Sequence, residues 1–129
     1  MIEVKQFEQK GRGIAATEPI SKGMLIESAP VAIFPPEEWE AMEPTAIFKY
    51  CFVRPSEYDG QRTENGYIVF GLSSLCNHSQ EPNAHIQWIE NENGLWANLT
   101  AVSDIPTGEE VVIFYTNIDK YSSASKFVS

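Results

Sequence analysis

The stretch LCNHSQEPNA, Leu75 to Ala84, gathers a thiol (Cys76), an amide (Asn77), an imidazole (His78) and a Pro82-Asn83 turn within ten residues. Three chemistries use such groups: metal ligation, thiol nucleophilicity, and the holding of a cofactor by amide and backbone atoms. Cys51, Cys76, His78 and His85 could in principle supply four zinc ligands, but Cys-x-His is not a usual chelating spacing and no Cys-x-x-Cys knuckle is present. No metal is therefore expected. A nucleophilic Cys76 would need His78 or His85 as its base, whereas a lone cysteine between Leu75 and Asn77 reads as a small buried hydrophobe. Asn77-His78-Ser79 and Asn98-Leu99-Thr100 are also sequons, relevant only to a secreted chain.

A second group is Lys10-Gly11-Arg12-Gly13. Its Gly-x-Gly lacks a third glycine, and the residues after it read as a strand rather than a helix, so it is not a dinucleotide-binding fingerprint. It is expected to form a glycine-rich turn whose bare backbone lets a ligand approach closely.

The elements that must position these groups read as mainly β. Ile2, Val4 and Phe7 alternate as an edge strand, and Ile14 to Ala16 make a second. Met24 to Glu27 and Val31 to Phe34 are expected as separate extended pieces, because Pro30 removes a ladder donor. The segment PPEEWEAMEPTAIFKYCF is the one helical region, with Trp39, Met42, Ile47, Phe48 and Phe52 facing the core and Pro44 splitting it in two. RPSEYDGQRTENG is polar and turn-rich, and an apolar run from Tyr67 to Leu72 comes next. Alternation on both sides of NENG predicts a hairpin from Ala84 to Val102, and Val111 to Tyr115 forms the last strand.

A chain of 129 residues is one domain by size, with everything chemical on a single scaffold. Eighteen acids against nine bases give a formal charge of −9, which repels phosphate backbones and anionic lipid and attracts cationic partners. Nucleic acid is thus not an expected direct ligand. Two cysteines make no disulfide framework, the N-terminus MIEVKQFEQK lacks the apolar core of a signal peptide, and no run of about 18 apolar residues exists to span a membrane. An intracellular location, cytoplasm or nucleus, with reduced thiols is expected.

Taken in order, Lys10-Gly11-Arg12-Gly13-Ile14 with AATEPISKGMLIE, then NHSQEPNA, then IPTGEEVVIFY resemble the SET domain of protein lysine methyltransferases, from about Lys10 to Tyr115. The chain looks most like the small free-standing members known from viruses and bacteria. The resemblance implies a β-clip-like fold of small twisted sheets with short helices, in which the C-terminal segment threads under a loop of earlier sequence. It implies S-adenosylmethionine as cofactor and a basic protein substrate, such as a histone-like tail or a ribosomal protein, and makes a SET-fold binding module without turnover the alternative. By the same resemblance Lys10, Gly11, Arg12 and Gly13 would line the cofactor with backbone groups, and Asn77 and His78 would hold its amino-acid and adenine ends. Tyr115 would be the catalytic tyrosine and Tyr50 a second channel tyrosine, with Tyr67 and Tyr121 further candidates; Tyr67 reads better as a core aromatic.

Many relatives close the lysine channel with a cysteine-rich, zinc-binding segment, which DKYSSASKFVS does not provide. Closure is expected from residues 116–129, from a second copy in a homodimer, or not at all. The position two residues before the catalytic tyrosine, linked in the family to the number of methyl groups added, is Ile113.

Overall fold

The computed structural model describes residues 1–118, and over that range short strands alternate with tight turns. The strand β1 (Ile2–Phe7) pairs antiparallel with β2 (Gly11–Ala16). The turn between them is residues 8–10, so Gly11-Arg12-Gly13 opens β2 instead of forming the turn that the glycines suggested. Gly11 has φ 78°, a left-handed conformation that glycine adopts without a Cβ penalty, and it redirects the chain into the strand.

Pro30 does not interrupt β3 (Leu25–Phe34), which the sequence had suggested as two pieces. The strand changes partner there. Its first part, to Pro30, pairs with β8 (Gly94–Ala101), and Val31 to Phe34 pair with β5 (Gly66–Val69). A residue without an N–H fits this hand-over, while its carbonyl still accepts from Phe70 N at 3.0 Å.

The helical region is short, as its prolines dictate: a 3-10 turn at Pro36–Glu38 runs into α1 (Trp39–Met42), and a second 3-10 turn, Phe48–Tyr50, comes after Pro44. Trp39 packs edge-to-face on Phe34 and Phe48, with centroids 4.8 and 6.1 Å apart. One turn of helix cannot carry an apolar stripe, and Ile47, expected inside, is exposed.

The larger sheet has the order β4-β5-β3-β8-β7, with β4 (Cys51–Phe52) and β7 (Ala84–Asn91) at its edges. The β7–β8 hairpin closes at Asn91 and Gly94, where Asn91 Oδ1 accepts from Asn93 N at 2.8 Å. Twist brings the two edges near each other: Phe52 of β4 lies 6.0 Å from Trp88 of β7, and Tyr67 of β5 lies 5.2 Å from the same indole. A cleft between two strand edges results.

The smaller sheet, β1-β2-β9-β6, inserts β9 (Glu110–Ile113) between β2, to which it is antiparallel, and β6 (Asn77–His78), to which it is parallel. Ile14, Ile20, Cys76, Leu99, Ile105 and Val111 form the core that joins the two sheets, each at most 1% exposed. Burying one such aliphatic side chain contributes roughly 1.5–3 kcal/mol. The strand β9 is therefore anchored on one face by the core and on both edges by backbone pairing.

Candidate active site

Parallel pairing of β6 with β9 places Asn77 opposite Val112 and His78 opposite Ile113, joining segments about 35 residues apart. Residues 77–83 wrap this junction: Ser79 N donates to Ile113 O at 2.9 Å, Asn83 Nδ2 donates to Glu110 O at 2.8 Å, and Val112 N donates to Asn83 Oδ1 at 2.9 Å. Asn83, in the bend that leads into β7 as the sequence suggested, also supplies an amide that completes the ladder of β9. These bonds bring together the two segments, around Asn77-His78 and before Tyr115, that the resemblance expected to meet.

Tyr115 lies just past the end of β9 and is held twice. Its backbone N–H donates to His78 Nδ1 at 2.9 Å, and its hydroxyl donates to the Cys76 carbonyl at 2.6 Å. The His78 ring is 2% exposed and lies 5.3 Å from the Tyr115 ring. Burial lowers the pKa of His78, and a ring that accepts at Nδ1 is neutral there. Its Nδ1 is thus committed to positioning Tyr115.

Around Gly13 the other predicted groups converge. Asn77 Nδ2 donates to Glu110 Oε2 at 2.6 Å and to Arg12 O at 3.3 Å, and Lys10 Nζ meets Glu110 Oε1 at 3.1 Å. A Cβ on Gly13 would lie 2.6 Å from Glu110 Oε2 and 2.7 Å from Asn77 Nδ2, so here glycine is demanded by protein packing. A Cβ on Gly11 would meet nothing within 4 Å, which leaves the outer face of the strand entry open.

A cavity of about 290 Å³ lies on the other feature, the cleft between the edges of the larger sheet. Cys51, Phe52, Ile86, Trp88, Ile113 and Tyr115 are among its lining residues. None of Lys10, Gly11, Arg12, Gly13, Asn77 or Glu110 lines it, so cavity and glycine face are distinct and meet at the β6–β9 junction. Tyr50 does not line the cavity; Phe52 and Trp88 supply the aromatic wall where a second tyrosine was expected. Tyr67 is a core aromatic, 2% exposed, whose hydroxyl donates to the Glu57 carboxylate at 2.7 Å. Burial and then that carboxylate push its pKa up. Tyr121 and most of the tail lie outside the described residues.

Both thiols are 1% exposed. Burial pushes Cys51 up to about 11, and burial with the Glu27 and Glu110 charges pushes Cys76 up further. Neither is poised as a thiolate nucleophile. Among the described residues no group of three or more His, Cys, Asp or Glu is placed to hold a metal ion, and no helix is long and apolar enough to cross a membrane. Sequence reasoning missed Phe52 and Trp88 as cavity walls and Glu110 as the partner of Asn77. The alternation Ile86-x-Trp88 was a signal for the first; the pairing of Glu110 depends on the register of β6 against β9, which no local pattern carries.

A family model described as the SET domain matches residues 11–116. The chain is 32% identical over 130 residues to a Schizosaccharomyces pombe protein named histone-lysine N-methyltransferase, H3 lysine-37 specific, covering 97% of this chain and 82% of that protein. It is 28% identical to a Yarrowia lipolytica H3 lysine-36 specific histone-lysine N-methyltransferase, of which it spans 16%. Among solved structures, a Plasmodium falciparum putative histone methyltransferase aligns with TM-score 0.67 at 23% identity, over 88% of this chain and 91% of that one. The Neurospora SET domain protein DIM-5, a histone lysine methyltransferase, aligns with the same TM-score at 20% identity, over 88% and 51%. These two likenesses show the fold.

Proposed function

Because the chain belongs to the SET-domain family of protein lysine methyltransferases, we propose that it methylates a lysine of a basic, histone-type protein, with Tyr115 at the reacting centre and S-adenosylmethionine as donor. The observation that carries this is the double anchoring of Tyr115, whose backbone is tied to His78 and whose hydroxyl is tied to Cys76 O. That tyrosine stands where the apolar cavity meets the glycine face.

The residues present fit the cofactor. Both amide protons of Asn77 are spent inside the protein, so its Oδ1 is left to accept from an ammonium group. The open face at Gly11 and the exposed Arg12 leave backbone accessible beside it. Lys10, Gly11, Arg12, Gly13, Asn77 and the His78 backbone would hold the cofactor, which supplies an electrophilic methyl group on a sulfonium.

The cavity would take the lysine. Its walls, Phe52, Ile86 and Trp88, disfavour an ammonium and so favour the neutral amine that can attack. Tyr115, its proton directed to Cys76 O, has oxygen lone pairs left to accept weak C–H bonds and align the amine. The chemistry needs little acid catalysis, so fixed geometry is the contribution of the protein.

The net charge of −9 favours a basic partner, and relatives named as H3-specific enzymes support a histone tail over a ribosomal protein. Such a substrate places the enzyme in the nucleus or cytoplasm. Residues 116–129 or a second copy in a homodimer are the proposed means of closing the channel, with all 129 residues forming one domain. Calorimetric titration with S-adenosylmethionine, and then methylation assays on histone H3 and on ribosomal proteins, test the reading. Micromolar binding with H3 labelling is expected. No binding at millimolar cofactor overturns it, and binding without labelling of any protein favours a binding module.

A further inference from the structure

Glu110 lies within the IPTGEEVVIFY motif but carries no role of its own in the sequence reading, yet its side chain joins Lys10 to Asn77. Its side chain is only 10% exposed. One carboxylate oxygen meets Lys10 Nζ at 3.1 Å, and the other accepts from Asn77 Nδ2 at 2.6 Å. The second Asn77 amide proton goes to Arg12 O at 3.3 Å.

Asparagine amides can be flipped, with N and O exchanged, unless their partners decide between the two. Here both partners, a carboxylate and a backbone carbonyl, are acceptors only, so the nitrogen must face them. The oxygen is then turned away from the protein and can only accept. Without Glu110 the single remaining partner, at 3.3 Å, is a weak constraint. The chain reserves space for this arrangement, since any Cβ at residue 13 would press on both Glu110 Oε2 and Asn77 Nδ2.

We propose that Glu110 is the positioning residue of the cofactor site: braced by Lys10, it locks the Asn77 amide so that Oδ1 is presented to the cationic α-amino group of the cofactor. This rests on the methyltransferase reading. Glu110 touches neither cofactor nor substrate; it acts through Asn77. A carboxylate does this better than an amide, because it draws both the Lys10 ammonium and an Asn77 proton, whereas a glutamine could turn its own NH₂ toward Asn77 and permit the flip.

The test is cofactor affinity by calorimetry, without substrate, for wild type, Glu110→Ala, Glu110→Gln, Asn77→Ala and the Glu110→Ala/Asn77→Ala pair. Glu110→Ala is expected to weaken binding roughly tenfold, the scale of one charge-assisted hydrogen bond. Glu110→Gln should fall between Glu110→Ala and wild type. The double variant should bind no worse than Asn77→Ala alone, since the two residues act as one unit. At saturating cofactor, kcat of Glu110→Ala should stay within about twofold of wild type, so that the loss sits in the KM for cofactor. The Asn77 side-chain amide resonances should be distinct and slowly exchanging in the ligand-free wild type and should lose that protection in Glu110→Ala.

Unchanged affinity in Glu110→Ala, or losses that add in the double variant, overturns the proposal while leaving the methyltransferase reading intact. Wild type that binds no cofactor overturns the reading itself. If Glu110→Ala fails to fold, Lys10→Met serves in its place: it removes the side-chain brace, and a loss of affinity of about twofold to threefold with weakened amide protection is expected, whereas full protection and unchanged affinity contradict the proposal.

Discussion

His78 Nδ1 accepts the backbone N–H of Tyr115 at 2.9 Å, so a buried imidazole fixes the main chain of Tyr115. That bond exists only while His78 is neutral. Because burial lowers its folded pKa below the ordinary 6.5, the unfolded chain takes up the proton first as pH falls. Stability from this site is therefore complete above about pH 6.5 and is lost as pH falls toward the folded pKa. Melting temperatures measured from pH 8 to 5 should decline more steeply in wild type than in His78→Gln, with exposed His85→Gln behaving as wild type. Parallel declines in all three would contradict this role for His78.

Gly11 and Gly13 are two residues apart but are glycine for different reasons, and their alanine variants should separate. Gly11→Ala meets open space and carries only the penalty of a positive φ, roughly 1 kcal/mol of stability. Gly13→Ala drives a methyl group into the Asn77–Glu110 pair. Thermal melts and cofactor titration should show Gly13→Ala losing at least about tenfold in affinity, and Gly11→Ala nearer to wild type. Equal affinities would mean that the Asn77 geometry does not govern binding.

Trp88 lines the cavity with Phe52 and rests on the buried Tyr67 ring. Trp88 is only partly buried, so Trp88→Ala should cost less than the roughly 3–5 kcal/mol of a core aromatic, and the milder Trp88→Leu is the useful variant for kinetics. It should raise the KM for a lysine peptide while leaving cofactor affinity unchanged, because none of the residues proposed to hold the cofactor lines that cavity. A shift in cofactor affinity alone would place the lysine elsewhere.

The buried thiols give an inexpensive check on the packing. With Cys51 raised to about 11 and Cys76 beyond it, iodoacetamide at pH 8 should label the native chain at least about tenfold more slowly than the urea-unfolded chain. Fast labelling of either cysteine under native conditions would contradict the described core.

Local chemistry made much of this fold legible. The NENG turn set the β7–β8 hairpin, and Pro44 confined the helix to single turns. Pro30 misled because its meaning depends on β3 changing partners, a fact about β5 and β8 rather than about Pro30. The motif order pointed to Asn77, His78 and Tyr115 together, and the parallel β6–β9 pairing joins them. What stayed hidden were contacts made by register between distant strands: Glu110 on Asn77, Asn83 on β9, and Phe52 opposite Trp88. Tyr50 illustrates the same limit, since a one-turn helix aims its neighbours Lys49 and Cys51 at the cavity and not the tyrosine.

The central claim is that Tyr115 serves methyl transfer through its hydroxyl, which is oriented by Cys76 O. Its most direct test is transfer of a labelled methyl group from S-adenosylmethionine to histone H3 by wild type and Tyr115→Phe, with cofactor affinity measured on the same samples. The account predicts lysine labelling by wild type and a loss of about a hundredfold or more in Tyr115→Phe, at cofactor affinity within a few-fold of wild type. Undiminished transfer by Tyr115→Phe would contradict it.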